Sequence, residues 1–168
     1  MPRSEIVPAP TTPSLTGSDT SRSMRGLAPF GEHGASFAFT SDRFDHSSEL
    51  SAEANAGNRF YGRDVAEFIQ SGLAERGLDS SFLDEDWGWQ VHGKGADESV
   101  LEVSIYHNPE EDPAAEDDWA LMVRSLRKGR MLGIVPRFQE TEIDAAALAM
   151  LEDVFRRAGI TLRQTAPR

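Results

Sequence analysis

Two histidines, His92 and His107, stand at the ends of two successive strand-like runs, and Glu110 follows the second run. Two imidazoles and a carboxylate can hold Zn²⁺ or a similar ion. Strand alternation, however, places His92 on a polar face and His107 on an apolar one. We therefore expect no metal and no cofactor. A small metal-dependent hydrolase, or a small-molecule-binding regulatory domain, that uses a rim of His92, Tyr106 and His107 is kept as the alternative.

Ser104 and Tyr106 share the polar face of these runs with His92 and Glu102, which is the raw material for acid–base chemistry. A catalytic serine also needs an orienting group and oxyanion donors. The sequence contains no nucleophile elbow and no glycine loop at a helix start. We therefore interpret these four residues as ordinary strand residues and assign no catalytic residue.

Acidic residues cluster at residues 84–86, which are three consecutive acids, and at residues 108–118, which contain six. A strand puts at most two of the first three on one face, too few for a divalent cation. The second cluster lacks the alternating spacing and central glycine of a calcium loop. We predict that both are solvated acids.

Basic residues cluster at Arg124, Arg127, Lys128 and Arg130. They could bind a phosphate or an acidic peptide. They could also neutralise the acidic segment 108–118 of the same chain, and this self-complementation is our prediction.

The 168-residue chain has a net charge of −11 and no cysteine, which excludes disulfides, thiolate metal sites and a cysteine nucleophile. Residues 1–35 hold three acids and three bases, so the whole acidic excess falls on residues 36–168. Such a surface repels nucleic acid and anionic membranes and speeds encounter with cationic partners. The first residues contain no apolar run, so we expect neither a signal peptide nor a membrane span, and a cytoplasmic location.

Residues 1–35 contain five prolines and many Ser, Thr and Gly, which predicts a disordered leader before a single domain over residues 36–168. Apolar periodicity predicts helices over residues 62–76 and 141–158, the second with a capping box from Thr141 to Asp144. Alternation predicts strands near residues 36–40, 84–92, 99–107, 119–125, 131–135 and 160–162.

This order predicts an α+β fold: a two-layer sandwich with a mainly antiparallel sheet of four to six strands and two helices on one face. Trp87 and Trp89 are predicted to point inward together. The opposite sheet face is expected to be polar and to present Gln90, His92, Glu102, Ser104, Tyr106, Met122 and Arg124.

The run Gly62-Arg63-Asp64-Val65-Ala66 opens the first predicted helix, and Glu85-Asp86-Trp87-Gly88-Trp89 lies in the tryptophan strand. With these two runs the chain resembles a family of small uncharacterised bacterial single-domain proteins over about residues 36–165. The resemblance implies a bacterial origin and a single-domain fold. It brings no known catalytic residue to this sequence.

Taken together, these features predict a non-enzymatic, acidic protein-binding domain, immunity- or adaptor-like, that engages a basic protein partner and neither nucleic acid nor a membrane. The candidate binding surface comprises Gln90, His92, Glu102, Ser104, Tyr106, Arg124, Glu110, Asp117 and Asp118.

Overall fold

The computed structural model of the chain describes residues 33–45, 62–85, 87–107, 116–131 and 135–166. The predicted leader therefore lies outside the described residues except for positions 33–35. The elements in chain order are β1 (Ala35–Phe39), α1 (Arg63–Ala74), β2 (Asp79–Glu85), β3 (Gly88–Lys94), β4 (Val100–His107), β5 (Trp119–Met131), β6 (Val135–Thr141), α2 (Ala145–Arg157) and β7 (Arg163–Thr165).

The seven strands form one antiparallel sheet in the order β2-β3-β4-β5-β1-β7, and β6 pairs with β5. The predicted α+β fold with two helices against an antiparallel sheet is confirmed. The sheet has more strands than the expected four to six, because β2 is a strand of its own and β6 replaces the short strand predicted over residues 131–135. The last strand also starts later than predicted, since Ile160 is buried in the core instead of pairing.

Both helices form where apolar periodicity places them. The carbonyl of Gly62 accepts a hydrogen bond from the Ala66 N–H at 2.9 Å and starts α1. The φ angle of Gly62 is 106°, a conformation that favours glycine. The carboxylate of Asp144 caps α2 by accepting from the Ala146 N–H at 2.9 Å. The predicted cap, Thr141, instead ends β6, so the capping box is wrong while the helix is right.

An aromatic cluster joins the two layers. The ring of Phe155, on α2, lies 5.0 Å from that of Phe39 and 5.3 Å from that of Phe68 on α1. Phe44 and Trp119 complete the cluster, with ring centroids 6.4 Å apart. Phe39, Trp119 and Phe155 are almost wholly buried, and aromatic side chains of this size dominate the energetics of a small core.

Trp87 does not point inward beside Trp89. β2 and β3 are paired as far as Glu85 and Gly88, so Trp87 lies in the tight turn of the hairpin that they form. Its ring stacks on Tyr106 at 5.0 Å, on the face away from the helices, while Trp89 is buried in the core. The prediction fails because the turn interrupts the alternation that a continuous strand over residues 84–92 would keep.

The far half of β5 extends past the sheet. β4 pairs with β5 as far as Leu126, whereas β6 pairs with β5 from Ser125 to Met131 on the other edge. Residues 127–131 and 135–139 therefore form a two-stranded projection, called here the β5–β6 ribbon. Pro136 is tolerated in it because β6 is an edge strand.

Gly72 sets the distance between the two helices. A Cβ atom added there would lie 2.6 Å from both methyl carbons of Val154 on α2. The buried glycine therefore lets the helices approach more closely than an alanine would allow.

We expect Gly72→Ala to lower the free energy of unfolding by about 1–2 kcal/mol, since overpacking outweighs the gain in helix propensity. In a Val154→Ala background the same change should cost nothing, because the added methyl group fills the vacated space. Urea unfolding of the four chains measures this coupling, and Ser71→Ala, at the exposed neighbouring position, is the control. An equal cost in both backgrounds would show that the contact with Val154 does not limit the packing.

Candidate functional site

The predicted polar sheet face exists, and neither described helix packs on it. Gln90, Glu102, Ser104 and Tyr106 all lie on it as expected. All four are nevertheless buried, partly because Trp87 stacks over Tyr106. The middle of this face is thus a packed polar layer, and a partner could reach only its more exposed members, such as His92 and Arg124.

Glu102 is held between two basic side chains from the neighbouring strands. The sheet register aligns His92, Glu102 and Arg124 across β3, β4 and β5. Arg124 Nε donates a hydrogen bond to Glu102 Oε1, and His92 Nε2 lies 3.4 Å from Glu102 Oε2. The Glu102 side chain is only 6% exposed, whereas those of His92 and Arg124 are each 30% exposed.

Burial alone would raise the pKa of Glu102. Hydrogen bonds from His92 and Arg124, together with the charge of the guanidinium, outweigh this effect and lower the pKa of Glu102 below its usual value. The carboxylate is therefore ionised at neutral pH, and both of its oxygens already have partners. These properties suit an ion pair that ties three strands together better than a general base, which needs a free lone pair towards its substrate.

The two histidines do not form a rim. His92 lies towards the C-terminal end of β3, and His107 lies at the C-terminal end of β4. Because the two strands are antiparallel, these ends lie at opposite ends of the sheet. His107 also points to the other face, where its ring lies 5.1 Å from that of Trp119. Glu110, the third proposed ligand, lies outside the described residues. In the described part of the chain, no three His, Cys, Asp or Glu side chains are placed to hold a metal ion.

Acidic side chains gather where β2 ends and β5 begins. At this end of the sheet, Glu85 of β2 pairs with Gly88 of β3, and His107 of β4 pairs with Trp119 of β5. The acidic end, as we call it, comprises Asp84, Glu85, Glu116, Asp117 and Asp118. Asp117 forms an ion pair with Arg163 of β7, and the Asp118 N–H donates to Thr40 Oγ1 at 3.4 Å.

The basic cluster lies at the other end of the sheet. Lys128 is nine residues beyond Trp119 along β5, which places the two roughly 30 Å apart at about 3.3 Å per strand residue. Of the acidic segment 108–118, residues 116–118 are described, and they lie too far from the ribbon bases to be neutralised by them. Self-complementation with residues 108–115, which lie outside the described residues, stays a prediction. Arg124 instead pairs with Glu102, and Arg127 Nη2 lies 2.5 Å from Asp97 Oδ2.

Asp97 anchors the ribbon to the turn between β3 and β4. The hydroxyl and backbone N–H of Ser99 both donate to its carboxylate, and Arg127 adds a third hydrogen bond. These interactions lower the pKa of Asp97 to about 2. The carboxylate therefore keeps its charge, and its hold on Arg127, throughout the physiological pH range.

The sequence indicates neither of two further features of the structure. Phe138 on β6 is 57% exposed, which is unusual for a large apolar side chain among the described residues. An open cleft of about 520 Å³ runs between the helices, lined by Arg43, Phe68, Arg76, Val154 and Arg157, among others. Two of these arginines, Arg76 and Arg157, bind the carboxylate of Asp153 within the fold. No local signal predicts either feature, because both depend on which segments the fold brings together or leaves apart.

Comparison with known proteins supplies no function. No family model matches the chain, and neither the curated proteins nor the solved structures contain a detectable match to it. The resemblance suggested by the Gly62–Ala66 and Glu85–Trp89 runs thus stays a resemblance.

Each helix of the described residues is too short, or too polar, to cross a membrane.

We expect Glu102→Gln to lower the free energy of unfolding by about 1.5–3 kcal/mol at pH 7, the range for hydrogen bonds to charged groups. Because the pKa of Glu102 is lower in the folded chain, its charge stabilises the fold above its usual pKa of 4.5. That contribution is lost as the pH falls through the folded-state pKa.

The difference between the two chains should therefore be full at neutral pH and shrink below about pH 4.5 in urea titrations. Glu98→Gln, an exposed acid beside Lys94, is the control and should change stability by less than about 0.5 kcal/mol. A difference that does not depend on pH would contradict the assigned role of the charge.

Proposed function

We propose that this chain is a non-enzymatic protein-binding domain, immunity- or adaptor-like, that engages a basic protein partner through the acidic end of its sheet. The observation that carries the proposal is the separation of charge along the strands. Five acids gather at one end of the sheet, and the bases of the β5–β6 ribbon lie at the other. The domain thus presents an acidic surface that its own bases neutralise only in part.

The charge of the segment beside this end points the same way. His107 and Glu116 flank residues 108–115, whose sequence contains three further acids, Glu110 among them. Within the described residues, Arg163 pairs with Asp117, but Glu116 is exposed and Asp118 is half-buried. Acids concentrated in this way speed the encounter with a basic surface and disfavour acidic partners.

The polar sheet face supports binding rather than catalysis. The carboxylate of Glu102, which is buried in this face, is occupied by Arg124 and His92. Ser104 lies two residues from Glu102 on the same strand, so their Cα atoms are about 6.6 Å apart. This layer stiffens the sheet from which the acidic end is presented.

The test begins with capture of binding proteins by the tagged chain in the cells that produce it, followed by kinetics of the captured partner. We expect Glu116→Lys/Asp118→Lys to slow association at least about tenfold at low ionic strength, because steering by opposite charge raises association rates by that order or more. The two rates should converge at high salt, where the charges are screened.

The matched control is Glu142→Lys/Glu152→Lys, which changes the net charge equally at exposed sites away from the acidic end. Equal association rates for the two double variants would refute the proposal, as would a captured partner whose binding surface is acidic.

A further inference from the structure

The β5–β6 ribbon leaves one edge of β5 open. The pairing of β4 with β5 ends at Val100 and Leu126, and β6 occupies the opposite edge of residues 127–131. Among the described residues, no strand pairs with this edge of β5. A strand edge of this kind presents N–H and C=O groups that can pair with another extended chain.

The ribbon is also strongly basic. Its ten residues, 127–131 and 135–139, include four bases, Arg127, Lys128, Arg130 and Arg137, and no acid. Arg127 is tied to Asp97, and Lys128 is exposed. An open edge with this charge selects for acidic residues in whatever pairs with it, since opposite charges stabilise neighbouring strands and like charges destabilise them.

Phe138 adds an apolar contact on the same ribbon. Register pairs it with Lys128, so the two side chains share one face. Phe138 is more than half exposed, although a ring of this size is normally buried. A strand added to β5 would bring its own side chains beside Lys128 on this face, one strand away from Phe138.

We propose that the β5–β6 ribbon binds an extended acidic segment of a partner protein, which joins the sheet as a strand along residues 127–131 of β5. The segment would alternate acidic and apolar residues. This surface is separate from the acidic end, so the proposal stands independently of the function proposed above.

A protein segment fits the ribbon better than nucleic acid does. The open edge offers backbone donors and acceptors in the pattern of a β-strand, which a phosphate backbone cannot match. The chain as a whole carries a net charge of −11, which repels a nucleic acid. The acidic end of the same molecule lies roughly 30 Å away along β5, so it cannot be the occupant.

The test uses a fluorescein-labelled ten-residue peptide of alternating Glu and Val, with anisotropy measured on the full chain at low salt. The double variant Lys128→Glu/Arg137→Glu should weaken this binding about fivefold or more, because it reverses the charge of Lys128 beside the added strand and that of Arg137 on the next strand, β6. Arg63→Glu/Arg156→Glu makes the same change in net charge on the helices and should leave the affinity unchanged. Circular dichroism establishes that both variants fold, and Phe138→Ala, which keeps every charge, should also weaken binding.

A second peptide of the same sequence, N-methylated at every residue after the first, tests the pairing. It keeps the charge but has no internal backbone N–H donor, so it should bind at least about fivefold more weakly if the segment joins the sheet. Equal binding of the two peptides would overturn strand addition. Equal effects of the two double variants, or no binding below about 1 mM, would overturn the proposal as a whole.

Two further outcomes would reassign the surface. Tighter binding of a labelled ten-residue oligothymidine than of the acidic peptide would make the ribbon a nucleic-acid site and overturn the proposal. Sedimentation velocity could also overturn the proposal. A salt-sensitive dimer of the wild-type chain that Lys128→Glu/Arg137→Glu abolishes would show that the occupant is a second copy of the chain.

Discussion

The aromatic contact between the helix layer and the sheet is the constraint on which the other features depend. Phe155 of α2 packs against Phe39 of β1 and Phe68 of α1, and Trp119 closes the cluster from β5. This contact draws both described helices to the same face, and among the described residues no helix packs on the other face. It is satisfied by a polar layer in which Glu102 is paired on both sides and by Trp87, which lies over Tyr106.

The same arrangement explains the separation of charge. Strands that run antiparallel bring their connections to two ends of the sheet, and at one end the connections of this chain are rich in acids. The bases of the β5–β6 ribbon lie beyond the residues of β5 that pair with β4. Attraction between the two groups is weak at roughly 30 Å, well beyond a Debye length at physiological salt. Each end can therefore present its own charge to a partner.

Much of the fold could be predicted from local patterns. Helical periodicity located α1 and α2, and strict alternation located β1 and the β3–β4 hairpin. The β2–β3 hairpin was missed because its turn contains a tryptophan, which resembles a strand residue, and because one short turn reverses the phase of the alternation. The polar face was predicted correctly in its members but not in its burial, which depends on what lies over it.

The candidate sites were less predictable, because they depend on distance between residues far apart in sequence. Nothing local shows that His92 and His107 lie at opposite ends of the sheet, or that β5 continues beyond its neighbour. The exposure of Phe138 follows from that extension alone. Sequence patterns identify the side chains that could act, whereas the register of the strands decides which of them meet.

Two glycines in this fold differ in what confines them. At Gly72 the obstacle to a larger residue is a side chain, which mutation can trim. At Gly88 an added Cβ would lie 2.5 Å from the main-chain carbonyl oxygen of Ile105, and its φ of 153° already favours glycine. No substitution elsewhere can remove a carbonyl oxygen. A larger residue at Gly88 would therefore have to displace the main chain of β4, whereas one at Gly72 has to displace only a side chain.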